Sequence, residues 1–297
     1  MGNRRIGTRR LESAMDNLLG HARLGGLNGS PFVIKSPDRV YLEEYFKRRP
    51  AANAQIATSE DAGNTIIHNV ANKDFEIVGT NATKDDVTFA ATTAGILLTP
   101  DGANGDQVIV TPHLDTDQTA WSGTKWGTEN QCHWECAIRT DAADIDDTTI
   151  WAGLKLTNTP TMVTDANQAY FIYGAEDDDA GALTTNANLH FVYSVANTDY
   201  VTDLGIAVAA ATDYRLGIQI DSDRKVSAWV NGVQYGLTTT ADADGVAVSP
   251  ASGTESSLSV ALTDDIDLIP YVGIMNQDAT ARDMVLYYVK MSRIFFE

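Results

Sequence analysis

The chain has 297 residues with 43% hydrophobic, a globular composition long enough for one large domain or two ordinary ones. Its formal net charge of −19, from 40 acidic and 21 basic side chains, excludes a general nucleic-acid binder, because phosphate repels such a surface. Its two cysteines, Cys132 and Cys136, exclude a disulfide-stapled scaffold, no run of about 18 apolar residues predicts a membrane span, and the basic N-terminus lacks the apolar core of a secretory signal.

The charge is divided along the chain. Residues 1–50 hold ten basic side chains and five acidic ones, a net +5, which leaves eleven basic against thirty-five acidic, or −24, in residues 51–297. Opposite signs in two regions point to different partners. A boundary is expected near Pro50, so residues 1–50 read as a basic N-terminal arm and 51–297 as the folded domain.

In the arm, Leu11, Met15, Leu18 and Leu19 fall at helical spacing between Thr8, a cap, and Gly20, a stop. Such a short helix is marginal alone and needs a surface to dock on. The glycine-rich stretch that follows is flexible by composition. Ser36-Pro37 then predicts a second helix start, with Val40, Tyr41, Leu42, Tyr45 and Phe46 burying one side. Arg4, Arg5, Arg9 and Arg10 suit an acidic partner, since guanidinium groups grip carboxylates in pairs.

Beyond residue 50 the pattern is strand after strand, separated by Asn, Gly and Asp turns. Strands are expected at 75–78, 87–90, 95–98, 107–110, 133–139, 150–156, 169–173, 189–193, 205–209, 214–220, 226–230, 233–236, 271–275 and 284–294. The clearest piece is the alternating Tyr214–Ile220, a turn at 221–224, a return strand, and Asn231-Gly232, which favours a type I′ turn. Short strands with such turns predict an all-β, two-sheet antiparallel sandwich, preceded by an arm with one or two short helices.

The runs YRLGIQIDSDRKVSAWVNGVQYG and LIPYVGIMNQDATARDMVLYYVKMSRIFF resemble the late strands of a concanavalin A-like (laminin-G-like) jelly roll. Residues 72–297, through FEIVGTNATKDDVTFAATTAGILLTPDGANGDQVIVTPHLDT and WAGLKLTNT, resemble β-sandwich structural proteins of tailed, chiefly marine, bacteriophages, and MGNRRIGTRR resembles the starts of such proteins. The resemblance implies a non-enzymatic virion protein on the particle surface, a capsid decoration or cement protein anchored by its arm. Its partners would be the major capsid protein or other virion proteins, met through Arg4, Arg5, Arg9, Arg10, Leu11, Met15, Leu18, Tyr41 and Phe46, and it would form a dimer or trimer. It implies no nucleic-acid or membrane partner. The alternative reading is a head or tail fibre module that binds host glycans.

Catalytic signatures are weak. The paired carboxylates of a glycosidase, as Glu-x-Asp-x-x-Glu, do not occur; Glu135 stands alone, and Glu176–Asp179 reads as a solvated loop. On a strand, Cys132, Trp134 and Cys136 share one face, with the cysteines about 13 Å apart, too far for a disulfide, and zinc lacks a second ligand pair. Buried thiols are expected, and no resident metal or cofactor. Calcium is the one cation the loops suggest, through Asp115 with Asp117, Asp144 with Asp146 and Asp147, Glu176 with Asp177–Asp179, Asp221 with Asp223, or Asp264, Asp265 and Asp267, although such aspartates also form turns. Trp121 and Trp126, in a Ser/Gly loop, are the candidate glycan platform.

Overall fold

A computed structural model describes residues 39–52, 72–112, 120–121, 124–143, 145–157, 165–174, 187–241 and 259–295. These form two eight-stranded sheets packed face to face, a β-sandwich of the expected class.

Sheet A runs, edge to edge, through β16 (Val233–Tyr235), β15 (Val226–Val230), β14 (Asp213–Ile220), β9 (His133–Thr140), β18 (Met284–Ile294), β5 (Ile96–Leu98) and β4 (Val87–Phe89), and β1 (Arg39–Glu44) also pairs with β18. Sheet B runs through β13 (Thr198–Ala207), β12 (Asn188–Val195), β11 (Gln168–Tyr173), β10 (Thr148–Lys155), β17 (Ile269–Asn276), β6 (Gln107–Pro112), β3 (Asn72–Val78) and β2 (Pro50–Ala52). A two-strand ribbon, β7 (Ala120–Trp121) with β8 (Thr124–Lys125), stands apart. All described pairings are antiparallel except β2 with β3.

The strands expected from sequence form, except that residues 205–207 of the one expected at 205–209 are the end of β13, which begins at Thr198, and the meander closes as predicted. Asn231 and Gly232 both take positive φ, 50° and 85°, the geometry of a type I′ turn. The core lies between the sheets and includes Trp134, Cys136, Leu216, Ile218 and Val289 from sheet A and Val110, Leu154, Phe171, Phe191 and Ile274 from sheet B.

The second expected helix is a strand. Arg39–Glu44 pairs with β18 over six residues, from Arg39 opposite Ile294 to Glu44 opposite Val289. Val40 and Leu42 pack on the core while Tyr41 and Glu43 lie on the other face, a period of two that fits the same residues as well as a helical one. Phe46 then turns back with φ 50° and buries its ring edge-on against Phe75, centroids 5.4 Å apart. The segment around the expected boundary at Pro50 is thus woven into both sheets. The first expected helix, with Arg4, Arg5, Arg9, Arg10, Leu11, Met15 and Leu18, lies outside the described residues.

Candidate functional site

A sandwich offers chemistry on its two outer faces and at its loop ends. In this chain the two outer faces are built differently, and the burial of successive strand residues shows it. In β9, β14 and β18 exposure partly alternates, so one side faces the core and the other is partly open. In β6, β10, β11 and β17 every described residue is buried, so both sides of sheet B are covered.

On the outer face of sheet A, Glu43, Lys290 and Glu135 stand side by side in register on β1, β18 and β9. The Tyr288 hydroxyl donates to Glu135 Oε1 at 2.5 Å, and the Tyr41 hydroxyl donates to Glu43. Lys290 Nζ lies 4.2 Å from the Tyr288 ring centre and 5.1 Å from that of Tyr45, a cation held between two aromatic faces. A β-bulge between Leu286 and Tyr288 makes Tyr287 an extra residue, so two successive tyrosines reach outward. The Tyr287 hydroxyl donates to Asp213 at 2.8 Å, and Arg139 pairs with the same carboxylate at 3.0 Å. Gly217 lies between Glu135 and Trp229 in register and is itself buried.

The electrostatics hold these groups still. Burial, then the charge of Glu135 and the hydrogen bond to it, push the Tyr288 phenol up; burial and Glu43 do the same for Tyr41. Both remain hydrogen-bond donors at neutral pH. His133, on the same face, is pushed down to about 3 by burial and by the Arg39 guanidinium, so it is neutral. The dent among Tyr41, His133, Glu135, Lys290 and Ser292 is too shallow to enclose a ligand.

On the second face of sheet B, the Trp151 and Tyr170 rings stack 3.5 Å apart at 7° and Tyr271 meets Trp151 edge-on at 6.2 Å. Lys155 Nζ lies 5.3 Å from the Trp151 ring centre and 4.8 Å from that of Tyr271. Gly153 makes the stack possible, since a Cβ there would meet the Tyr170 Cα and the Ala169 carbonyl oxygen at 2.4 Å. Gln168 donates to Ser194 at 2.8 Å, and Ser194 donates to Asp199. His190 Nδ1 lies 3.0 Å from the Asn188 carbonyl, to which it can only donate, so the ring's Nε2 is an acceptor, and burial pushes its pKa down. Trp151, Tyr170, Tyr271, Lys155 and His190 are all 0–1% exposed. This aromatic cluster is a second core rather than an open platform.

The sequence-predicted sites fare unevenly. Trp126 is fully buried and its carbonyl accepts from Leu268 N at 2.9 Å, so it offers no ring to a glycan; the Trp121 side chain lies outside the described residues. Cys132 and Cys136 are free, buried thiols, and burial pushes Cys132 up to about 12. Phe46 is core, and Tyr41 lies on the sheet A face.

Among the described residues no group of three or more His, Cys, Asp or Glu side chains is placed to hold a metal ion. Asp147, Asp221, Asp264 and Asp267 take other partners. Asp221 Oδ1 accepts from the backbones of Asp223 and Lys225 at 2.9 Å, Asp264 pairs with Arg224 at 3.3 Å, and Asp267 with Lys125 at 3.5 Å. Arg282, its side chain only 11% exposed, reaches Asp147 at 3.8 Å and Asp278 at 3.7 Å, so a guanidinium supplies positive charge at that acidic end. Asp115, Asp117, Asp144 and Glu176–Asp179 lie outside the described residues.

No family model and no curated protein matches the chain. Solved structures do. A Shewanella oneidensis MR-1 protein of unknown function is similar over 88% of this chain and 89% of its own, with 9% identity and a TM-score of 0.47. The sheets themselves show a two-sheet, chiefly antiparallel β-sandwich. The Emp47p carbohydrate recognition domain is similar over 87% of this chain and 96% of its own, at 8% identity and a TM-score of 0.46. Alginate lyase A1-II', of polysaccharide lyase family-7, is similar over 72% and 86%, at 12% identity and a TM-score of 0.45. These likenesses concern strand arrangement, and what those proteins bind or cleave belongs to them.

Proposed function

We propose that the chain is a non-enzymatic structural component of a tailed-phage virion, a capsid decoration or cement protein on the particle surface, held by its N-terminal segment. The observation that supports this reading is the root of that segment. Arg39–Glu44 is bonded along its length to β18, which β9 flanks on its other side. The Arg39 guanidinium adds bonds to the Gln131 carbonyl and to Ser292 Oγ, and Phe46 locks the far end in the core. The segment that follows residue 38 is therefore a paired strand and not a loop.

In this reading Arg4, Arg5, Arg9 and Arg10 pair with carboxylates of a capsid or other virion protein, while Leu11, Met15 and Leu18 bury an apolar stripe there. Stabilisation follows mass action, because a component that binds only the assembled shell favours it. The acidic body keeps the particle surface charged and hydrated. The test is to delete residues 1–30 and measure binding to expanded capsids. Binding should be lost while the sandwich still melts cooperatively; binding at full strength would contradict the anchoring role.

A further inference from the structure

The outer face of sheet A differs from the rest of the body in its charge. Arg39, Arg139, Arg215 and Lys290 stand on it beside Glu43, Glu135 and Asp213, whereas residues 51–297 as a whole carry −24. The signs alternate across the strands, as in the Glu43–Lys290–Glu135 row. Aromatic rings lie among these charges: Tyr45 is 42% exposed, and Tyr287, Tyr288 and Trp229 are half-buried. Tyrosine, tryptophan and arginine are the residue types that carry most binding energy at protein interfaces. The opposite outer face, on sheet B, is already buried.

We propose that two copies of the chain pair through this face, sheet A against sheet A about a two-fold axis. A two-fold contact uses one patch twice, so the patch must complement itself. A face with alternating signs does so, because a rotated copy can set Lys290 or Arg215 opposite a carboxylate. Elsewhere two copies of so acidic a body repel each other. From β1 to β16 the face is six strands wide, and its partly exposed residues flank a centre at His133, Glu135 and Ser292 that is already buried.

This pairing is a property of the isolated chain and does not rest on the virion reading. Sedimentation velocity of the full chain across a concentration series tests it, with Arg215→Glu, Tyr45→Ala and the distant control Lys84→Glu. The wild type and Lys84→Glu should sediment as dimers. Arg215→Glu should weaken pairing at least about tenfold by setting like charges together, and Tyr45→Ala by a smaller factor. Because Tyr45 is exposed, its truncation leaves the fold intact and decides the matter even if Arg215→Glu misfolds. A wild type that is monomeric or trimeric throughout, or a dimer that Tyr45→Ala leaves unchanged, would overturn the proposal.

Discussion

The two outer faces of this sandwich carry similar side chains in opposite settings. Each has tyrosines, a tryptophan, a histidine and a lysine held near two aromatic rings. On sheet B the lysine, Lys155, is fully buried with its rings, whereas on sheet A Lys290 and Tyr288 are partly exposed and Tyr45 is open. The same residue types thus serve the stability of the chain on one side and are available for recognition on the other. Burial rather than composition separates the two roles, because a ring already removed from water gains little more by meeting a partner.

The largest expected effect is on sheet B. Trp151→Ala removes the stack on Tyr170 from a dry face and should lower unfolding free energy by about 3–5 kcal/mol in urea titration. A loss near zero would make that face an open platform and undo the comparison. Gly153→Ala should cost on the order of 1–3 kcal/mol, because its Cβ meets neighbouring backbone that cannot yield.

Acid probes both faces next. His133 on sheet A and His190 on sheet B are both held neutral by burial, with His133 lowered from 6.5 to about 3. Between those values the unfolded chain binds protons that the folded chain refuses, so stability should fall as pH drops through that window. His133→Gln should flatten the dependence of the urea midpoint on pH, and adding His190→Gln should flatten it further. An unchanged slope in the double variant would show that neither ring is buried in solution. The smallest effect belongs to Tyr45→Ala, which should change stability by less than about 1 kcal/mol while weakening self-association.

Much of the fold was legible because strand period and turn chemistry agree. Tyr214–Ile220 alternates, and Asn231-Gly232 supplies the positive φ its turn requires. Arg39–Glu44 was misread because Val40, Tyr41, Leu42, Tyr45 and Phe46 satisfy either period, and only the pairing with β18 decides between them. Trp126 sits among Ser and Gly residues that signal an open loop, yet the short 3₁₀ turn at Thr128–Asn130 and the bond from Leu268 hold it in the core. The candidate site was less legible. Thr148–Lys155 reads as a single core strand, and nothing local says that Trp151 and Lys155 form a second cluster on its far side. Glu135 was noticed as a lone carboxylate. Its partners Tyr288 and Lys290 lie more than 150 positions away and reach it through strand register.

The most direct measurement of the central claim is imaging of phage particles with and without this protein. A structural component anchored by its N-terminal segment should appear as regular density on the outer surface of the head, and that density should vanish when the protein is absent. Particles that look the same either way would contradict the account.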